Sequence, residues 1–325
     1  MKKISIEILK ILITIGLFYY LFKTKVPLNE VIQNIKNLNI VYLILIILLF
    51  FLYYLIFSLR WNFLLKAQNI GISEVRSYLY IIISFFFNNF LPSGLGMDMI
   101  RSAYAGGKEN FEKALGASIM ERILGMIGMM LIGIAAVFSW KAEFAKLSIL
   151  YIGLILLTIL IYYFLTSLKV SWLKEKILSV KFLNLGDSIR KFYRAFKIYK
   201  NKIRTLIIGI SYSVLVQIVI IIINYFIAKG LSLQIPIFAL LAYIPIITVI
   251  SLIPITINGL GLREAAYVYF FSLLNVTKGQ AMSLSLVFFI TSVIASCGGG
   301  IVFVFLRRGT RSDTLNKDES GRKKQ

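Results

Sequence analysis

No histidine occurs in the 325 residues, and the single cysteine, Cys297, lies inside an apolar run. An intrachain disulfide is therefore excluded, and thiolate or imidazole metal sites lack their usual ligands. Acyl transfer or proteolysis that depends on a histidine base is excluded as well. Charge is scarce too: Asp, Glu, Lys and Arg make up 15% of the chain, where soluble proteins carry about a quarter. Apolar residues make up 59%, and the mean hydropathy is +0.84. That leaves too little polar material to cover a soluble fold. The surplus apolar residues come in long blocks, the pattern of an all-α, polytopic helical membrane bundle.

Acids are the scarcer charge, 14 against 36 Lys and Arg, for a net charge of +22. In a soluble protein that excess would point to nucleic acid; here its placement decides otherwise. Segment 166–204 holds Lys169, Lys174, Lys176, Lys181, Arg190, Lys191, Arg194, Lys197, Lys200, Lys202 and Arg204 against only Glu175 and Asp187. The tail adds Arg307, Arg308, Arg311, Lys317, Arg322, Lys323 and Lys324. Both are expected in the cytoplasm, with anionic membrane lipids rather than nucleic acid as the partner. Within the basic loop, Ile189, Phe192, Tyr193, Phe196, Tyr199 and Ile203 recur at helical steps opposite Arg190, Lys191, Arg194, Lys197 and Lys200. That is the pattern of a helix lying on the membrane surface, or of a solvated connector made basic by the orientation rule. Met1-Lys2-Lys3 opens an apolar stretch with no A-x-A-like cleavage site, so it reads as an uncleaved first span. With 166–204 inside, its N-terminus is inside if 77–91 dips in and returns, as the short length of that stretch favours, and outside if 77–91 crosses.

Stretches 4–22, 40–59, 117–139, 147–165, 205–228 and 281–306 are candidate spans, each near the ~20 residues that cross about 30 Å of hydrocarbon. Three apolar pieces are irregular: 77–91, which ends in Asn88-Asn89-Phe90-Leu91-Pro92; 236–257, interrupted by Pro236, Pro245 and Pro254; and the short 264–274. The expected fold has about six to eight full spans plus re-entrant or broken segments. It forms a single integral membrane domain over 1–306 in the cell membrane, followed by a basic tail, 307–325, without fixed structure.

Chemistry concentrates at the breaks. The first set is Asn88, Asn89, Pro92, Gly94, Gly96, Asp98 and Arg101. Proline and glycine free backbone groups that must be buried in protein or line a wet cavity, and Asp98 and Arg101 stand three apart, able to pair on one turn. Such a break offers N–H donors and an arginine to a phosphate, or is an ordinary interfacial turn with a salt bridge. The second set is Glu121-Arg122, just inside an apolar stretch, which either faces the bundle interior or snorkels to the interface. Being adjacent, the two are expected to have different partners. The third set is Pro254, Asn258, Gly259, Gly261, Arg263 and Glu264, again a flexible backbone followed by an ionisable pair. Ser93-Gly94-Leu95-Gly96-Met97-Asp98 echoes Asn258-Gly259-Leu260-Gly261-Leu262-Arg263. The echo reads either as an inverted repeat around a midplane site or as chance.

Residues 89–101 resemble the N-x-x-P-x-x-x-G-x-D-x-x-R signature of the lysylphosphatidylglycerol synthase transmembrane-region family, also called flippase-like. Glu121-Arg122 is similar to its acidic-Arg pair, and 254–264 to its P-x-x-x-N-G-x-G-x-R-E signature. The resemblance implies a helical bundle with re-entrant segments that moves aminoacylated phospholipids between leaflets. It also implies that Asn89, Pro92, Gly96, Asp98, Arg101, Glu121, Arg122, Asn258, Gly259, Gly261, Arg263 and Glu264 line the substrate site. In two-domain members a soluble domain first attaches the amino acid. No such domain occurs in these 325 residues, so aminoacylation is not transferred.

The expected function is therefore translocation of an anionic or aminoacylated phospholipid, with no catalytic residue, cofactor or metal. Arginine suits a phosphate because its planar fork binds two oxygens and it stays charged. Two alternatives stand beside it: a membrane enzyme acting on polyprenyl-phosphate or glycolipid intermediates with Asp98 or Glu121 as base, and a non-catalytic accessory of a separate synthase. A separate synthase and a second copy of the chain are the protein partners left open.

Overall fold

In hydrocarbon a chain satisfies its own backbone most simply as helix, and the long apolar blocks do so here. The structure is a computed structural model that describes residues 2–24, 26–91, 96–139, 145–167, 196–253 and 255–322. Its helices are α1 (Lys2–Thr24), α2 (Leu28–Lys36), α3 (Ile40–Ala67), α4 (Glu74–Asn88), α5 (Gly96–Gly106), α6 (Phe111–Ser139), α7 (Ala145–Ser167), α8 (Ile203–Gly230), α9 (Ile237–Ser251), α10 (Leu262–Ser272) and α11 (Lys278–Arg322), with a 3-10 turn at Ile257–Gly259. Residues 189–195 of the surface helix expected around 189–203 lie outside the described residues.

The span count corrects the expectation of six to eight. Among the described residues four helices are long and apolar enough to cross: Ile40–Ala67, Phe111–Val137, Ile203–Gly230 and Lys278–Leu306. A fifth is added only if Leu9–Lys23 and Leu28–Lys36, which meet at 91°, form one bent span. Hydropathy overcounted because it sees apolar composition and not where a helix turns. Stretch 4–22 leads into the sharp bend before α2, and within α7 (Ala145–Ser167) the described stretch Leu147–Tyr163 counts among the shorter apolar helices.

The helices are arranged as two matching sets. α3 and α8 are each 28 residues long, α4 and α9 are each 15, and α5 and α10 are each 11. Asn69 and Ser232 occupy the same step after α3 and α8, and both take positive φ, 60° and 57°. The helix-ending hydrogen bonds correspond as well. Ile70 N–H donates to Leu65 C=O at 3.0 Å, and Leu233 N–H to Ala228 C=O at 2.8 Å. In each set the two short helices fold back on each other. Tyr80 stacks on Tyr104 with ring centroids 5.1 Å apart, and Tyr243 meets Phe270 at 5.2 Å. Each pair joins a residue eight before the end of the first short helix to one eight after the start of the second.

The two sets run in opposite directions. At one end Asn39 N–H donates to Gly230 C=O at 3.3 Å and Tyr42 lies 6.1 Å from Phe226. At the other end Tyr199 Oη donates to Leu64 C=O at 2.9 Å and Lys202 Nζ to Ala67 C=O at 2.8 Å. The start of α3 therefore meets the end of α8, and the reverse. The repeat is inverted in that its two long helices lie antiparallel.

Close helix crossings fix the hairpins in place. Gly299 of α11 lies against α4, where an added Cβ would fall 2.2 Å from the Ile82 carbonyl oxygen. Gly299→Ala is thus expected to push α4 and α11 apart at a cost of about 1–3 kcal/mol. A thermal melt in detergent would check this, and an unchanged melting temperature would count against the packing role.

Candidate functional site

Asp98 is the third residue of α5, in the first helical turn, where a carboxylate is favoured by the free N–H groups and the helix dipole. Gly96 opens that helix because Leu91 fills the space a side chain would need, with Cδ1 2.5 Å from an ideal Cβ. Asp98 Oδ1 accepts from Arg101 Nη2 at 2.6 Å, one turn on. Asp98 Oδ2 accepts from Arg122 Nε of α6 at 2.5 Å. Arg101 Nη1 lies 2.5 Å from Glu121 Oε2, a charge contact without hydrogen-bond alignment. Glu121 Oε1 accepts from Arg60 Nε of α3 at 3.0 Å. The result is a continuous chain, Arg60–Glu121–Arg101–Asp98–Arg122, held by α3, α5 and α6.

Four of these five side chains are at most 4% exposed, and Arg122 is 30% exposed. Arg60 Nη1 also donates to Ser213 Oγ at 2.9 Å. The Phe57 ring lies under both Arg60 and Arg101, at 4.7 and 5.3 Å, and Trp61 lies 5.0 Å from Arg101. Trp61 Nε1 donates in turn to Ser118 Oγ at 3.0 Å. Three guanidinium groups face two carboxylates, so the chain as a whole carries one excess positive charge. As expected of helix neighbours, Glu121 and Arg122 point to different partners. Glu121 faces the interior, and Arg122 reaches from Asp98 toward the surface.

The second break is tighter. Asn258 and Gly259 take positive φ, 49° and 75°, and Gly261 takes 83°. Only glycine adopts such angles readily. At Gly259 a Cβ would also stand 2.6 Å from the Ser251 carbonyl oxygen. Glu264, the third residue of α10, is fully buried and reaches back to accept from Gly261 N–H at 2.6 Å. Its other oxygen accepts from Arg263 Nη2 at 2.6 Å and from Ser285 Oγ at 3.1 Å. Arg263 is 13% exposed and lies 5.0 Å from the Phe289 ring. The inverted repeat thus matches Asp98 to Glu264, one residue away from the Asp98–Arg263 match that the sequence echo suggested.

The tips of the two hairpins touch. Asn258 Nδ2 donates to the Asn88 carbonyl oxygen at the end of α4. Asn89 Nδ2 donates to Ser296 Oγ on α11 at 2.8 Å. Pro92, Gly94 and Pro254 lie outside the described residues. Asp98, Arg101, Glu121 and Arg122 come together in one cluster, whereas Arg263 and Glu264 pair with each other. Arg60 was missed, although a lone arginine in a 28-residue apolar helix is a usable signal; the candidate span was ended at 59, one residue short. Ser118, Ser213 and Ser285 carry no sequence signal, since serines are common along these helices. Among the described residues no group of three or more Asp, Glu, Cys or His is placed to hold a metal.

The sequence profile of the lysylphosphatidylglycerol synthase TM region matches residues 8–299. The chain belongs to this family. The match covers both hairpins and every member of the ion-pair chain. Two curated relatives are UPF0104 membrane proteins. That of Methanocaldococcus jannaschii is 27% identical over 95% of this chain and 98% of its own length. That of Pyrococcus horikoshii is 25% identical over 71% of this chain and 76% of its own. No solved structure matches the chain. The matched region is the family's membrane part, and a multi-pass membrane protein with several apolar spans is what the helices form.

Proposed function

We propose that this protein moves an anionic or aminoacylated phospholipid between leaflets, with the paired hairpins forming the passage for the head group. The observation that carries this reading is the ion-pair chain buried beside broken helices. Arginine and carboxylate groups at membrane depth are costly and occur where they serve a polar path. The excess positive charge of the chain suits a lipid phosphate, and Arg122, partly exposed beside Asp98, is where a phosphate first meets it. Asp98 and Glu121 suit an amine on the same head group. In this reading Asn89, Gly96, Asn258, Gly259, Gly261, Arg263 and Glu264 shape the passage between the two tips, and the basic loop and tail face the cytoplasm. Inverted repeats with discontinuous helices are a recurrent build for moving a substrate past a fixed midplane site.

Purified protein in liposomes tests this directly. Inward-labelled aminoacyl phospholipid is expected to become accessible to an external amine reagent faster than in protein-free vesicles. Equal rates with and without protein would defeat the reading, and a new covalent lipid product would replace it with an enzymatic one.

A further inference from the structure

The break between α9 and α10 holds two buried oxygens without a hydrogen-bond partner: Thr256 Oγ1 and Asn258 Oδ1. Thr256 is only 3% exposed. A buried polar atom left unpaired costs about 1–3 kcal/mol, and two within three residues is an unusual concentration. Both are acceptors once their surroundings are considered. Asn258 already uses its Nδ2 on the Asn88 carbonyl, which fixes the direction of its amide. The Thr256 hydroxyl has its lone pairs uncommitted.

Two carbonyl-bearing helix ends lie at this turn, and the first turn of α10 that follows it has its Gly261 N–H held by Glu264. The C-terminal ends of α4 and α9 both abut this turn: Asn258 contacts the Asn88 carbonyl, and Gly259 packs on the Ser251 carbonyl. Each helix C-terminus carries roughly half a negative charge on its unsatisfied carbonyl groups. The nearby charges leave that field in place. Glu264 is committed to Arg263, Ser285 and the Gly261 N–H, so the Arg263–Glu264 pair is neutral as a unit. The unpaired donors are one hydroxyl and one amide oxygen, with the Asn88 and Ser251 carbonyls beside the turn, all uncharged. Divalent ions are held mainly through carboxylates; neutral oxygens at an unwound helix suit a monovalent cation.

We infer that the second break binds a monovalent alkali cation, with Thr256 Oγ1 and Asn258 Oδ1 among its ligands. This site is separate from the arginine chain, and its existence does not depend on lipid movement. Within the translocation reading the ion is the coupling ion; that clause alone rests on that reading.

The test is thermal stability of the whole protein in detergent, titrated with NaCl or KCl against choline chloride at constant total salt. Saturable stabilisation by Na+ or K+ relative to choline is expected, because a ligand of the native state raises its melting temperature. In Thr256→Val, which keeps the shape and removes the oxygen, the apparent affinity is expected to weaken by at least about tenfold. Identical melting curves in all three salts overturn the proposal, and so does a variant that titrates like the natural protein. Either result leaves the Thr256 hydroxyl buried and unpaired, and Thr256→Val should then raise the melting temperature. Should the variant fail to fold, binding of radioactive Na+ to the unaltered protein, displaced by unlabelled Na+ or K+ but not by choline, decides the matter; no displaceable binding overturns it. Dependence of lipid flux on a cation gradient in vesicles is read separately, so loss of flux with retained binding defeats the coupling clause and leaves the site standing.

Discussion

Arg101→Met is expected to destabilise the protein by about 3–5 kcal/mol, because it strands two buried carboxylates at once. Arg101 is fully buried and lies between Asp98 and Glu121. Its loss leaves Asp98 with Arg122 and Glu121 with Arg60. Those outer partners hold one oxygen of each carboxylate, and the inner oxygens face each other across the emptied space. A thermal or chemical melt in detergent measures the loss. The compensated variant Arg101→Met/Asp98→Asn/Glu121→Gln separates structure from function. It carries no stranded carboxylate, so most of the stability is expected to return. Lipid movement is expected to stay lost, since the charged path is gone. If the triple variant moved lipid at the natural rate, the chain would be a packing device only.

Arg122→Gln is expected to have the opposite profile. Arg122 is 30% exposed, and Asp98 keeps Arg101 when Arg122 is removed. The stability cost is that of one charged hydrogen bond, about 1.5–3 kcal/mol. In the translocation reading Arg122 is the cation that meets the incoming phosphate. Its loss is expected to slow lipid movement at least about tenfold, a barrier change of about 1.4 kcal/mol. The measurement is head-group translocation in liposomes at matched protein incorporation, with Arg122→Lys as a second variant. Lysine restores the charge but not the planar fork, so partial recovery is expected. A full natural rate in Arg122→Gln would remove this residue from the site.

The legible part of the site was the part written locally. Asn89, Asp98 and Arg101 fall within one short stretch, as do Asn258, Arg263 and Glu264, and breaks in apolar runs are visible to the eye. Arg60 was within reach but was excluded by where the apolar block was ended. The inverted repeat was only hinted at by six residues on either side. It became plain in the matched helix lengths and in the antiparallel contacts of α3 and α8. Those contacts join residues far apart in sequence, and no local pattern encodes them. The overcount of spans has a related cause: an apolar helix that leads into a sharp bend has the composition of one that crosses straight.

Composition alone settled that this is a helical membrane protein, because a chain with 15% charged residues cannot cover a soluble surface. It also settled that histidine chemistry and internal disulfides are absent, since the atoms are not there. Only the tertiary structure decided which charges meet. Arg60, Glu121, Arg101, Asp98 and Arg122 come from three helices and form one chain because those helices cross at their level. Pairing energy falls off within a few ångströms, so it is a property of where side chains end up in space, and residue order leaves that open until the bundle closes.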